Sequence, residues 1–212
     1  MFHITILLSG KHGRGSNMAR LAQACQNGFI PNAAIARVIG THPSPAIERA
    51  QELGLPVSLV SPKAEDYAER LSGLLTEAET DLVCLAGFLR KIPAEVLAKY
   101  PARVINTHPA LLPAFGGRGM YGIHVHQAVL DYGAKVSGCT VHFADDEYDT
   151  GPIILQKAVP VDEDDTVETL ATRVLAVEHE IYPLAVKLFA EGRIALEGRR
   201  VHILPATPHI RL

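Results

Sequence analysis

The chain has 212 residues, 48% hydrophobic and 20% charged, with a formal net charge of −3. That length suits one large domain or two closely fused halves, and folding buries roughly 70% of the extended surface. The composition excludes a disordered chain, and the near-neutral charge excludes a global basic field of the kind that tracks nucleic acid. No stretch approaches about 18 consecutive apolar residues, so no membrane span is expected. The apolar start, residues 1–8, lacks the basic flank and small-residue cleavage site of a secretory leader and reads as a first buried strand. Cys25, Cys84 and Cys139 are scattered and odd in number, with no Cys-x-x-Cys pair. They argue against a disulfide framework or structural zinc, and for three buried thiols in a reducing cytoplasm.

In chain order, residues 4–8 form a short apolar strand, and Ser16 caps a helix through about residue 27, closed by Gly28. Residues 33–40 are a second strand, and 46–53 a helix ended by Gly54. A third strand at 57–60 precedes a helix near 64–78, and 82–85 is a fourth strand between Asp81 and Gly87. Continuous apolar strands alternating with helices imply an α/β fold: a Rossmann-like, mostly parallel twisted sheet with helices on both faces. From residue 103 the rhythm changes. Val104-Ile105 is a fifth strand, residues 109–121 form a structured loop rich in Pro and Gly, and 124–132 is a helix stopping at Gly133. Residues 136–143 and 153–161 pair as antiparallel strands. Thr166, with Thr169 downstream, opens a long helix to about residue 191, in which Pro183 removes one backbone donor and should kink the axis. Residues 194–203 resemble an edge hairpin around Glu197-Gly198. No repeat or linker divides the chain, so residues 1–212 read as one domain with two functional halves, 1–100 and 101–212.

Three stretches carry chemistry. After the first strand comes Ser9-Gly10-Lys11-His12-Gly13-Arg14-Gly15-Ser16-Asn17, followed by a helix. Glycines allow close backbone approach, and a helix start offers free amides to an anion. The spacing fits neither a dinucleotide fingerprint nor a triphosphate P-loop. A single phosphate, as on a sugar monophosphate, fits better; the plainer alternative is a glycine turn with Ser16 as a cap. The second stretch, Asn106-Thr107-His108-Pro109, follows the fifth strand, and the third is Asp149-Thr150-Gly151-Pro152. Asn106 and His108, two apart in a strand, share one face. An amide donor, a proton shuttle and a carboxylate that favours the protonated imidazole are what acyl transfer to an amine requires. Each residue alone has an ordinary explanation as a cap or turn, and only the set beside a phosphate loop points to chemistry. No Ser or Cys stands in a nucleophile elbow, which favours direct transfer over an acyl-enzyme. His124, His126 and His142 do not make a metal site: residues two apart on a helix do not face each other, and no further ligand completes a set. His142 is expected to occupy a satisfied polar position on its strand. The acidic run at 162–165 reads as a solvated helix start.

In order, Gly15-Ser16-Asn17, Leu85-Ala86-Gly87-Phe88-Leu89-Arg90, Asn106-Thr107-His108-Pro109-Ala110-Leu111-Leu112-Pro113, Val141-His142-Phe143 and Asp149-Thr150-Gly151-Pro152-Ile153-Ile154 resemble the phosphoribosylglycinamide formyltransferases. The Asn-x-His-Pro-x-Leu-Leu-Pro segment is shared by folate-dependent formyltransferases as a class. Gly15-Ser16-Asn17, and Glu178-His179 followed by Tyr182-Pro183, narrow it to this branch. The resemblance implies direct passage of formyl from the co-substrate 10-formyltetrahydrofolate to the amine of glycinamide ribonucleotide in purine synthesis, with no metal. It implies that residues 1–100 bind phosphate and nucleotide, and that 101–212 carry catalysis and folate binding. By matching positions, Gly15, Ser16 and Asn17 hold the phosphate and Glu178 the ribose hydroxyls. Leu89, Arg90, Lys91, Ile92, Asp145, Asp146, Glu147 and Tyr148 frame the folate. His108 is the proton donor, Asn106 the oxyanion partner, and Asp149 tunes His108. The chain departs from the family at the additional residues Lys11-His12-Gly13, in a longer segment at 115–122, and at Leu175, where some relatives have lysine. The expected partners are small molecules, with no nucleic acid or membrane, and the assembly is a monomer or homodimer. The alternatives are a formyltetrahydrofolate hydrolase or another folate-dependent formyltransferase, which carry further regulatory or C-terminal domains not expected here, and a non-catalytic phosphosugar-binding protein.

Overall fold

Seven strands form one sheet in the order β3-β2-β1-β4-β5-β6-β7. The structure is a computed structural model that describes residues 1–11 and 13–206, so His12, expected in the glycine loop, lies outside the described residues. The elements are β1 (Phe2–Leu8), α1 (Ser16–Gln26), β2 (Ala33–Gly40), α2 (Pro45–Glu52), β3 (Val57–Leu59), α3 (Tyr67–Glu77), β4 (Leu82–Leu85) and α4 (Ala94–Lys99). They continue as β5 (Val104–His108), α5 (Ile123–Tyr132), β6 (Val136–Phe143), β7 (Ile153–Pro160), α6 (Val167–Ala190), β8 (Ile194–Glu197) and β9 (Arg200–Ile203). Strands β1 to β5 pair in parallel, while β6 and β7 add antiparallel.

The parallel strands are apolar runs because both faces are covered. One core layer, with Ile4, Ile6, Leu21, Val174 and Tyr182, lies under α1 and α6; the other, with Leu7, Leu71, Leu75 and Val83, lies under α3 and α4. The chain leaves β1 for β2 on one side and reaches β4 on the other, so β1 and β4 flank a topological switch point. Open α/β sheets bind ligands in the crevice at such a point, beyond the carboxyl ends of the strands. Here the amides of Ser9 and Gly10 both donate to the Gly87 carbonyl, at 3.3 and 3.2 Å, tying the two strand exits together.

Several expectations change. Gly15, not Ser16, holds the N-cap of α1, with a left-handed φ of 65° and no side-chain cap, and Ser16 is the first helical residue. A Cβ on Gly15 would meet Met18 Cε at 2.9 Å and Ala46 at 3.1 Å, so packing as well as φ demands glycine. Helix α3 begins at Tyr67 because residues 61–66 form turns. The short α4 is absent from the sequence expectation; its six residues are too few for a periodic pattern to show. The terminal hairpin is a separate two-stranded sheet rather than an edge of the main one. Cys25 is only half-buried, while Cys84 and Cys139 are buried.

Thr166 and Thr169 do start α6, as a reciprocal capping box. Helix α6 continues through Pro183 without a break. The missing N–H would have served the His179 carbonyl four residues back, and Arg20 Nε on α1 donates to that carbonyl at 3.1 Å instead. Near its other side, Tyr182 Oη donates to the Leu85 carbonyl at 2.9 Å, fixing α6 against the exit of β4.

Two glycines make opposite predictions. A Cβ on Gly151 would lie 1.8 Å from the Phe143 carbonyl oxygen, whereas one on Gly73, inside α3, would meet nothing within 4 Å. Gly151→Ala is expected to destabilise by about 3 kcal/mol. Gly73→Ala should stabilise by about 0.5–1 kcal/mol through lower unfolded-chain entropy. Urea unfolding midpoints check both signs.

Candidate functional site

A cleft of about 590 Å³ opens at the switch point, and Asn106, His108 and Asp149 all line it. Asn106 and His108 project from one face of β5. Asp149 arrives from the β6–β7 connection in a left-handed conformation, φ 61°, which aspartate tolerates better than most residues. The connection can turn this tightly because Gly151 leaves room for the Phe143 carbonyl, while the Phe143 amide donates to the Pro152 carbonyl at 2.9 Å. The loop after β5 is strapped down by Thr140 of β6, whose hydroxyl donates to the Ala110 carbonyl at 2.7 Å and accepts from the Leu112 amide at 3.0 Å.

The carboxylate of Asp149 stands between two imidazoles. Its Oδ1 is 3.5 Å from His108 Nδ1 and 3.6 Å from His142 Nε2, and its Oδ2 accepts from the Gly117 amide at 2.9 Å. Burial alone would raise the Asp149 carboxyl. The imidazoles of His142 and His108 beside it and the Gly117 amide outweigh it and hold the group below its ordinary value.

His108 shows the reverse balance. Burial pushes its imidazole below the ordinary value, outweighing the Asp149 carboxylate and the Phe115 carbonyl, and nearby His142 lowers it further. Asp149 does favour the protonated imidazole, as expected, but with 3% of the His108 surface exposed desolvation outweighs it. A carbonyl oxygen can only accept, so His108 Nε2, 2.8 Å from Phe115 O, carries the proton, and Nδ1 is the basic nitrogen facing Asp149.

His142 belongs to the site, which sequence reasoning missed. Its Nδ1 donates to its neighbour's carbonyl, Phe143 O, at 2.7 Å, and its Nε2 accepts from Asn106 Nδ2 at 3.2 Å. The signal lay in the pairing of β5 with β6, which sets Asn106 opposite His142, and no spacing along the chain reveals that register.

The phosphate and ribose candidates divide. Asn17 and Glu178 line the same cleft, and Asn17 Nδ2 donates to Glu178 Oε2 at 3.1 Å. Asn17 Oδ1 is buried without a partner. Gly15 and Ser16 lie instead at the head of α1, where Ser16 opens on a neighbouring groove lined also by Arg20, Arg49 and His179. No acidic residue stands in the first turn of α1, so its amide end keeps its positive character.

The folate candidates divide too. Leu89 and Tyr148 border the main cleft, whereas Arg90, Lys91 and Ile92 line an adjoining recess that shares Leu89 and Tyr148 with it. Lys91 Nζ pairs with Glu147 Oε2 at 2.9 Å. Asp145 turns inward on its own loop, accepting from Thr150 Oγ1 at 2.7 Å and the Glu147 amide at 3.2 Å. Asp145, Asp146 and Glu147 do not border the main cleft; they shape the loop that presents Tyr148 and Asp149. Leu175 lines the cleft as an apolar residue.

The chain matches the family model described as formyl transferase over residues 3–186. It is 44% identical over 188 residues to the chloroplastic phosphoribosylglycinamide formyltransferase of Arabidopsis thaliana, covering 86% of this chain and 64% of that protein. The chain thus spans less than two thirds of that relative. The Escherichia coli phosphoribosylglycinamide formyltransferase is 34% identical, with 92% of this chain and 90% of that one covered. Among solved structures, glycinamide ribonucleotide transformylase 1 from Symbiobacterium toebii superposes with a TM-score of 0.88 at 43% identity, covering 97% and 95% of the two chains.

Glu178 is buried, and burial raises its carboxyl from 4.5 to about 7, with the Asn17 and Thr107 hydrogen bonds working against the rise. A raised carboxyl binds more protons folded than unfolded. Its favourable contribution is therefore present below pH 4.5 and lost as pH climbs through about 7. Glu178→Gln is expected to raise the thermal midpoint at pH 8 while leaving it nearly unchanged at pH 4.5, as read by calorimetry at the two pH values.

Proposed function

The chain belongs to the formyl transferase family, and on that footing we propose that it moves formyl from 10-formyltetrahydrofolate directly to the amine of glycinamide ribonucleotide, in purine synthesis. The observation that carries this reading is the buried Asp149 carboxylate held between His108 and His142 beside Asn106, in a cleft whose far end holds Asn17 and Glu178. Such a set has every group that amine acylation needs, and neither serine nor cysteine lines the cleft among the described residues.

In the proposed step the amine lone pair attacks the formyl carbon, a new C–N bond forms, and the carbonyl electron pair moves to oxygen. Asn106 Nδ2 has two hydrogens; His142 takes one, and the other meets the developing oxyanion. His108 is neutral at rest, so it first receives the amine proton at Nδ1, where the Asp149 anion stabilises the imidazolium. Collapse of the adduct breaks the bond to N10 of the folate, and His108 returns the proton to that nitrogen. His108 is still the proton donor to the leaving nitrogen, but it acquires that proton during the reaction. His142 contributes by holding the Asn106 amide.

At the acceptor end, the uncapped amides after Gly15, with Ser16 and Asn17, suit a phosphate monoester. Glu178 and the unpartnered Asn17 Oδ1 offer acceptors for two ribose hydroxyls. At the donor end, Leu89, the recess at Arg90, Lys91 and Ile92, and the 145–148 loop frame the folate. No helix among the described residues is long and apolar enough to cross a membrane, and we place the reaction in the cytoplasm, in a single 212-residue domain acting without metal.

Purified protein given both substrates is expected to release tetrahydrofolate in proportion to amine formylated. Equal folate turnover without the amine would mean a hydrolase and would sink the reading. His108→Ala should lower turnover by about 10²-fold or more, the usual scale for a proton-transfer group. Near-normal turnover in that variant would remove His108 from its role.

A further inference from the structure

His126 stands in the first turn of α5, lines the catalytic cleft and is only 5% exposed. The catalytic set above does not use it. Its Nδ1 is buried without any hydrogen-bond partner, a state that native structures rarely keep without cause. Burial pushes its imidazole below the ordinary value, and the neighbouring His108 imidazole pushes the same way. His126 is thus neutral, with one N–H and one lone pair. An unpaired acceptor is tolerated in the interior more often than an unpaired N–H. The bare nitrogen is therefore Nδ1, the proton sits on Nε2, and Nε2 is left to meet a ligand in the cleft.

The position of α5 says which ligand. Helix α5 packs on α6, whose Ala171, Val174, Leu175 and Glu178 form one face of the cleft. A substrate whose ribose is held at Glu178 and whose amine lies by His108 must run past this α5–α6 wall. The group between ribose and amine in glycinamide ribonucleotide is a carboxamide. Apart from Glu178, assigned to the ribose, the α5 and α6 residues lining the cleft offer it apolar side chains and the polar His126.

We propose that His126 donates a hydrogen bond from Nε2 to the carboxamide carbonyl of the acceptor, fixing the adjacent amine for attack. This rests on the glycinamide ribonucleotide reading and deepens it. The neutral state serves the task, because a cation here would compete with the imidazolium that forms on His108.

The test compares His126→Leu, His126→Gln and His126→Asn in steady-state assays with each substrate varied in turn. Calorimetric titration of each variant with glycinamide ribonucleotide in the absence of folate reads binding without turnover. Gln carries its amide near the Nε2 position and Asn near Nδ1. The expected result is an acceptor KM and Kd raised about tenfold in Leu and Asn, the scale of one lost hydrogen bond. Gln should come back to within about threefold of the parent, and the KM for 10-formyltetrahydrofolate should stay within about twofold throughout. Parent-like acceptor binding in Leu, or parallel losses for donor and acceptor, overturns the proposal. Should Leu not fold, equal behaviour of Gln and Asn overturns it as well. If the parent protein itself neither binds nor formylates the acceptor, the functional reading fails first, and the two failures are told apart by that control.

Discussion

A carboxylate that must remain an anion inside the protein is the constraint around which this molecule is arranged. Asp149 loses most of its contact with water, accepts from the Gly117 amide, and lies between the imidazoles of His108 and His142. Removing a buried ion's partners costs several kcal/mol, on the order of 3–5, so none of these groups is free to drift. The carboxylate in turn holds the 115–117 segment. The Gly117 amide rests on Asp149, the Phe115 carbonyl rests on His108, and a Cβ on Gly116 would crowd Asp149 at 3.2 Å. Charge, loop path and imidazole orientation therefore form one mutually dependent unit.

The sheet places that unit. Parallel strands β1 and β4 end side by side at the switch point, where Ser9 and Gly10 hold Gly87, and β5 carries Asn106 and His108 to the same rim. The antiparallel β6 crosses beside β5 and brings His142 opposite Asn106. Helix α6 closes the far side, anchored by Tyr182 to Leu85 and by Arg20 to the carbonyl that Pro183 leaves open. With α6 held so, Glu178 meets Asn17 across the cleft, 161 positions away along the chain.

Much of this was legible beforehand. The alternation of apolar strands with capped helices marked the parallel sheet, and the Thr166–Thr169 pair marked the start of α6. Asn106 and His108 declared themselves because a two-residue spacing on a strand means one face. Asp149, like the other two, had an ordinary reading, since Asp-Thr-Gly is also a common turn; what distinguishes it is the 1.8 Å a Cβ on Gly151 would leave to the Phe143 oxygen, a contact between segments. The short α4 escaped notice, being too brief for periodicity. Among the folate candidates at 145–147, Asp145 accepts from Thr150 within its own loop and Glu147 pairs with Lys91, contacts that spacing along the chain does not show.

By itself the sequence determined the strand and helix pattern, the glycine loop after the first strand, and the identities of the amide, imidazole and carboxylate. These depend on local spacing and residue chemistry, which a linear chain displays directly. The tertiary structure decided which groups are charged and which meet. Burial lowers the His108 imidazole despite a carboxylate 3.5 Å away, His142 joins the site through strand register, and burial raises the Glu178 carboxyl to about 7. Desolvation and cross-strand contact are properties of the packed molecule, and nothing in the order of residues states their balance.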